Sequence, residues 1–362
     1  MAVGIVKGKI LPIGVDLGTS SLKLAQLRQV SGSFDLIGAA AADVPPDAAQ
    51  NPKSQMSFCT SAMKKLLASG NFRGRNCILS IPAAATFVHH VKIAKTSPEL
   101  VQQAVLREIQ GKLPFPAAEA EIRHVVAGDI GGESEVRQEV IVVAAPRETV
   151  MAQLTMARKS RLTVVGINIE SCAIVECFAR LFRRVTDQRR AILFVDLGQS
   201  STQVVLSHGR GIVFARNLPV AGRTFDEEIG KKLGISPAEA GQIRRKLDTQ
   251  DDDDRRVVEL QACMADVVEQ LVDELTQCLR YYEAVFRNQS IERVIFLGGQ
   301  AADRRLCQAI AQRLNLPAQI GDPLVRVGSL QAGGLNTGLD RREPQPRWAV
   351  AVGLSLGGAS AA

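Results

Sequence analysis

Ile13-Gly14-Val15-Asp16-Leu17-Gly18-Thr19-Ser20-Ser21 returns half a chain later as Leu193-Phe194-Val195-Asp196-Leu197-Gly198-Gln199-Ser200-Ser201. The two stretches are offset by 180 residues, and Asp, Leu, Gly, Ser and Ser recur in register. Each runs into a strand-like alternation, LKLAQL from Leu22 and TQVVL from Thr202. Each then reaches a turn, Ser31-Gly32-Ser33 or Ser207-His208-Gly209, and a further apolar strand. One DxGxSS turn is a weak signal. The same β-hairpin used twice predicts two similar domains facing each other across a cleft.

The rest of the composition fits that reading. A chain of 362 residues exceeds what one core usually holds. With 46% hydrophobic and 22% charged residues it is globular, which excludes disordered and collagenous classes. Aromatics are 4%, too few for a base-stacking surface. The net charge of +7 is dispersed in pairs such as Arg244-Arg245 and Arg304-Arg305, so nucleic acid is not an expected partner. None of the seven cysteines forms a CxxC pair, which reads as reduced thiols in a cytosolic protein. The start MAVGIVKGKILPIGVD lacks the pattern of a signal peptide, and no apolar run reaches the roughly 18 residues of a spanning helix. Direct membrane insertion is not expected.

Between and after the repeats the pattern is mixed α/β. Residues 86–165 read strand, helix, strand, strand, helix, strand, a small α/β unit inserted into the first repeat. Within it, Ser97-Pro98-Glu99 reads as a helix start and Glu139–Ala145 as a strand. Helices are expected over 168–182, 224–233, 237–247, 263–286, 301–314 and 348–356. Asp248–Arg256, with its DDDD run, reads as an exposed loop, and Gly328–Gly338 as a Gly-rich one.

A tight turn built from Gly, Ser and Thr suits phosphate. Gly18 and Gly198 let the backbone approach a ligand, and the N–H and hydroxyl groups of Thr19, Ser20, Ser21, Ser200, Ser201 and Thr202 can donate to its oxygens. Asp16 and Asp196, at strand ends, can hold Mg²⁺ through water. Gly298-Gly299, after a strand, opens room for a nucleoside, and Gly222-Arg223 can line the same cleft.

The order VDLGTSS, VDLGQSST, FLGGQ resembles the phosphate-1, phosphate-2 and adenosine motifs of the actin, DnaK-type chaperone and sugar-kinase superfamily. Within it the chain resembles the type IV pilus assembly PilM family, a relative of FtsA, over roughly residues 11–358. The marks are IGVDLGTSSLKLAQL, GKLPFPAAEAEI at 111–122, GINIESCAIVECF at 166–178 and RWAVAVGLSL at 347–356. The resemblance implies an actin-like (ribonuclease H-like) α/β fold of duplicated domains around a nucleotide cleft, with an inserted 1C-type subdomain. Subdomain 1A would take 11–85, 166–190 and 347–360, and 1C would take 86–165. Subdomain 2A would take 191–225 and 290–346, and 2B 226–289.

By the same resemblance, Asp16 and Asp196 would serve Mg²⁺. Gly18, Thr19, Ser20, Ser21, Gly198, Gln199, Ser200, Ser201, Thr202, Gly222 and Arg223 would bind the phosphates of ATP. Gly298, Gly299 and Gln300 would border adenosine. Lys23 would reach a phosphate or stand outward on its strand. Glu170 would orient an attacking water or only favour a helix dipole. Gln199, where relatives carry a smaller residue, and Ala221, where a Gly pair is common, speak against hydrolysis more than against binding. The implied function is a cytoplasmic ATP-binding scaffold of type IV pilus assembly and twitching motility. It would lie peripheral to the inner membrane, among other pilus assembly proteins. There it would dock the cytoplasmic N-terminal tail of a PilN-like protein, with self-association left open. The alternatives are a small-molecule kinase of the superfamily and an FtsA- or MreB-like filament former.

Overall fold

The computed structural model describes residues 8–49, 51–131, 136–182, 190–247, 255–286, 289–328, 339 and 341–360. Of the expected loops Asp248–Arg256 and Gly328–Gly338, residues 248–254 and 329–338 lie outside them, while Arg255 and Arg256 are helical and Gly328 ends a strand. Contacts divide the chain into two units. One is Met1–Pro82 with Glu148–Arg180 and Asp322–Ala362, and the other is Ala83–Arg147 with Leu181–Gly321.

The chain opens with β1 (Lys9–Ile10), β2 (Ile13–Leu17), β3 (Ser21–Val30) and β4 (Ser33–Asp43). Positive φ at Ser31 and Gly32 makes the tight β3–β4 turn that the sequence announces. Helices α1 (Pro46–Ala49) and α2 (Pro52–Ser69) follow. Asn51 caps α2, its Oδ1 accepting from the Lys53 N–H at 2.9 Å. Strand β5 (Asn76–Ile81) then pairs parallel with β2.

The insert contributes β6 (Phe87–Ala94), α3 (Pro98–Ile109), β7 (Ala120–Ile130) and β8 (Arg137–Pro146). They form a three-stranded antiparallel sheet, β6-β8-β7, with its own core of Val91, Ile93, Val101, Val105, Val140 and Val142. The remaining part of the segment read as inserted is α4 (Arg147–Lys159) and β9 (Thr163–Ile169). Strand β9 pairs with β5, so it extends the first sheet instead of the insert's. Helix α5 (Glu170–Ala179) ends this section.

The second repeat gives β10 (Ala191–Leu197), β11 (Thr202–His208) and β12 (Gly211–Leu218). After them come α6 (Gly222–Leu233), α7 (Pro237–Leu247) and α8 (Arg255–Val285). Helix α8 begins eight residues before the Cys263 expected from the sequence, because Val257 and Leu260 already bury the same apolar stripe. Strand β13 (Ile291–Leu297), α9 (Arg304–Leu314), β14 (Ala318–Ile320), β15 (Val327–Gly328) and α10 (Ala349–Ser360) complete the chain. Helix α9 starts three residues later than expected. A 3₁₀ turn occupies Gly299–Ala302, and Asp303 then caps α9 by accepting from the Leu306 N–H.

The two repeats fold alike. Strands run β4-β3-β2-β5-β9 in one sheet and β12-β11-β10-β13-β14 in the other. Each is an antiparallel meander with two parallel strands added beside its first strand. In the first unit Ile13, Val15 and Leu17 pack with Met63, Leu67 and Met156. In the second, Leu193, Val195, Val204 and Phe296 pack with Val267, Leu271, Leu275 and Tyr282 of α8.

Two features tie these bodies internally. Helix α10 lies backbone to backbone on its neighbours. A Cβ at Gly353 would stand 1.9 Å from the Ala173 carbonyl oxygen of α5, and one at Gly14 2.0 Å from that of Ala351. The Ser355 hydroxyl donates to the Pro12 carbonyl and accepts from the Leu27 N–H. In the second unit, fully buried Glu139 of the insert fastens to the rest. Its Oε1 accepts from the Tyr281 hydroxyl at 2.7 Å and lies 2.8 Å from His90 Nδ1.

All seven cysteines are free. Burial pushes the thiols of Cys59, Cys172 and Cys278 up to about 11 and those of Cys77 and Cys177 up to about 12. At pH 8 only about one in a thousand of these groups, or fewer, is the reactive thiolate. These five should therefore resist iodoacetamide in the folded protein, while all seven react in guanidinium. Mass spectrometry of the alkylated chain checks this.

Candidate functional site

In the first hairpin β2 and β3 place Asp16 directly opposite Lys23. Both side chains are buried, and Lys23 Nζ lies 3.0 Å from Asp16 Oδ2. The ammonium thus turns inward onto the carboxylate. Burial of either charge alone would be costly, and pairing offsets it. The turn between them must carry glycine at its start, since a Cβ at Gly18 would press to 2.9 Å on the Ser21 carbonyl oxygen. Leu17 N–H donates to Ser80 Oγ, Gln55 donates to the Gly18 carbonyl, and Val44 N–H donates to that of Ser20. Thr19 and Ser21 are half-buried, and Ser20 is exposed.

The second hairpin repeats this frame with altered chemistry. Asp196 faces Gln203 where Asp16 faces Lys23, and Gln203 Nε2 donates to Asp196 Oδ2 at 3.5 Å. Gly198 N–H donates to the Ser201 carbonyl at 3.1 Å, and a Cβ there would come within 2.7 Å of that oxygen. Gly222 N–H donates to the Gly198 carbonyl and Arg223 N–H to that of Gln199, so the start of α6 seals the turn. Ser200 and Ser201 are half-buried. Thr202 is fully buried, and its hydroxyl donates to the Val220 carbonyl at 2.7 Å, which commits it to closing the loop.

The Gly-Gly pair sits at the end of β13, next to β10. Gly298 has φ +87°, and a Cβ there would stand 2.3 Å from Asp196 Oδ1, so glycine is required. Gly299 is exposed with nothing near its Cβ direction. Gln300, half-buried, donates from Nε2 to Gln199 Oε1 at 2.9 Å. Gln199 donates in turn to Asp226 Oδ2 at 2.8 Å, and Asp226 Oδ1 receives Arg244. The structure therefore brings Asp196, Gly198, Gln199, Gly222, Arg223, Gly298, Gly299 and Gln300 together in one body, and Asp16, Gly18, Thr19, Ser20, Ser21 and Lys23 in the other. Glu170 is the first residue of α5, where its carboxylate favours the positive end of the helix dipole. Asp226 and Arg244 escape the sequence reading. The only signal was an acid between Phe225 and Ile229, on the face of α6 that turns inward.

Chemically, each hairpin offers a carboxylate at a strand end beside a turn that carries serine or threonine hydroxyls, Thr19, Ser20 and Ser21 in one and Ser200 and Ser201 in the other. That combination suits an anion carrying a hard divalent cation. Among the described residues no group of three or more His, Cys, Asp or Glu could hold a metal by itself. The carboxylates present fit Mg²⁺ held mainly by water and phosphate, a mode that needs few protein ligands.

Twin meanders with Gly-Ser turns at equivalent places define an actin-like α/β protein, and solved structures share the architecture. A PilM–PilN type IV pilus biogenesis complex matches with TM-score 0.78 and 22% identity, over 96% of this chain and 98% of that one. MreB5 of Spiroplasma citri bound to ADP matches with TM-score 0.53 and 12% identity, over 98% and 97%. The ethanolamine utilization protein EutJ from Carboxydothermus hydrogenoformans matches with TM-score 0.53 and 12% identity, over 96% and 89%. The model of the family described as type IV pilus assembly protein PilM matches residues 14–359, and the chain belongs to that family.

Proposed function

We propose that the chain is a Mg-ATP-binding scaffold of type IV pilus assembly that docks the cytoplasmic N-terminal tail of a PilN-like inner-membrane protein. The observation that carries the nucleotide part is the duplicated hairpin, with its carboxylate, its glycine and its donors at the same register in both repeats. The ADP-bound MreB5 of the same fold supports it. In this reading Asp16 and Asp196 hold the water shell of Mg²⁺ and the turns hold phosphates. Lys23 exchanges Asp16 for a phosphate oxygen, Gly298 and Gly299 border adenosine, and Glu170 orients a water. ATP acts as a switching or structural ligand with slow turnover.

Titration with a fluorescent ATP analogue tests the site. Asp196→Asn, with its melting temperature checked, should weaken binding at least about tenfold, the size of a lost charge-assisted contact. Unchanged affinity removes Asp196 from the site. Phosphate release should fall far below the roughly 1–100 s⁻¹ of kinases. Brisk turnover abolished by Glu170→Ala would make this a true ATPase.

The partner part draws support from the similar PilM–PilN structure and from family membership. Among the described residues no helix is long and apolar enough to cross a membrane. In this reading the membrane-anchored partner supplies the location at the cytoplasmic face of the inner membrane. The insert carries exposed apolar residues, Leu100 and Leu106 on α3 and Val126 on β7, beside sheet edges that an extended tail can use. A synthetic PilN-like tail should bind the full chain and lose affinity in Leu100→Asp/Leu106→Asp. Equal binding to both would move the docking site off the insert.

A further inference from the structure

A carboxylate only accepts hydrogen bonds, whereas a primary amide donates at one end and accepts at the other. Asp226 therefore dictates how Gln199 is turned. The amide NH₂ must face Asp226 Oδ2, which leaves Gln199 Oε1 to accept from Gln300 Nε2. Gln300 must then turn its NH₂ toward Gln199, which fixes where its acceptor Oε1 and its second N–H stand. Arg244 anchors the far end: its Nε lies 3.0 Å and its Nη2 2.9 Å from Asp226 Oδ1, both side chains being buried. Two glycines make the room. A Cβ at 222 would stand 2.6 Å from both Gln199 Oε1 and Gln300 Nε2, and one at 241 would stand 2.9 Å from Asp226 Oδ2. The chain of contacts thus runs from α7 through α6 and the turn after β10 to the turn after β13, all in one unit.

We propose that Asp226 is a positioning residue for the nucleotide site. Through Gln199 it orients Gln300 and locks the phosphate-motif turn to the adenosine-motif turn in a single hydrogen-bond polarity. Nucleotide affinity then depends on an enclosed carboxylate two hydrogen bonds away from Gln300 along the relay. This rests on the nucleotide-binding reading above.

The test is a double-mutant cycle on the full chain, read by Mg-ATP titration, with Asp226→Asn, Gln300→Met and both together. Asn keeps the shape of Asp but can donate, so both amides become free to turn round. Each single change should weaken binding about fivefold, and the double should be no worse than the poorer single. Asp226 and Gln300 do not touch, so losses that simply multiply would overturn the relay. Asp226→Asn also leaves Arg244 without its counter-charge. Should that variant fail to fold, Asp226→Asn/Arg244→Met, which removes both charges of the buried ion pair, takes its place against Gln300→Met in the cycle with the same two outcomes. A second readout needs no nucleotide. The side-chain amide ¹⁵N–¹H signals of Gln300 should move in Asp226→Asn, and unmoved signals overturn the relay. If wild-type chain binds no Mg-ATP while those signals do move, the nucleotide reading fails and the positioning role falls with it, but the hydrogen-bond relay stands.

Discussion

Gly353→Ala is expected to cost the first unit about 2–3 kcal/mol, and Gly353→Val more, because the added carbon has nowhere to go. The obstacle is the Ala173 carbonyl oxygen 1.9 Å away, part of a helix backbone that cannot rotate aside. Relief requires α10 to lift from α5, and lifting it breaks the Ser355 bonds to Pro12 and Leu27 and uncovers buried Trp348. Chemical denaturation gives the cost. Gly357→Ala is the control on the same helix: nothing lies within 4 Å of its Cβ direction, and alanine is the better helix former there. Equal changes at 353 and 357 would show that close approach to Ala173 does not set the requirement for glycine.

Asp16→Ala should be more damaging still, by about 3–5 kcal/mol, because it leaves the Lys23 ammonium buried without its partner. Asp16→Ala/Lys23→Met, which removes both charges, should recover most of that loss. Breaking the exposed Arg147–Glu121 pair should change little by comparison. Stability of the four chains measured in one denaturant series decides it. If the double variant is as unstable as Asp16→Ala, the damage comes from packing and not from the stranded charge. The same logic governs any binding experiment at this hairpin, where a folding control has to accompany each loss of affinity.

The hairpins were legible in the sequence because everything that makes them is local. Alternation at period two, a glycine after the aspartate and paired small polar residues set strand, turn and strand within about thirty residues. Register was not read there: Leu17 facing Leu22 puts Asp16 opposite Lys23, a pairing that the structure supplies. What stayed hidden joins residues far apart in the chain. Asp226 meets Arg244 only after α7 folds back on α6, and Glu139 meets Tyr281 across more than a hundred residues. Neither pair has a spacing that announces it. Strand β9 was legible as a strand but not as a neighbour of β5, since parallel pairing leaves no turn between partners to read. The start of α8 was obscured by the acidic run before it, which resembles a loop wherever it ends.

The first unit is assembled from three stretches of chain, and its last helix, α10, is made after the whole of the second unit. Strand β2 leaves the ribosome early, yet Gly14 has to wait for Ala351 before that face of its sheet is covered. At about 5–20 residues per second the interval is some tens of seconds, during which the second unit can already be complete. Synthesis therefore makes every residue of the second unit available before α10, and that face of the first sheet waits for its cover until α10 arrives.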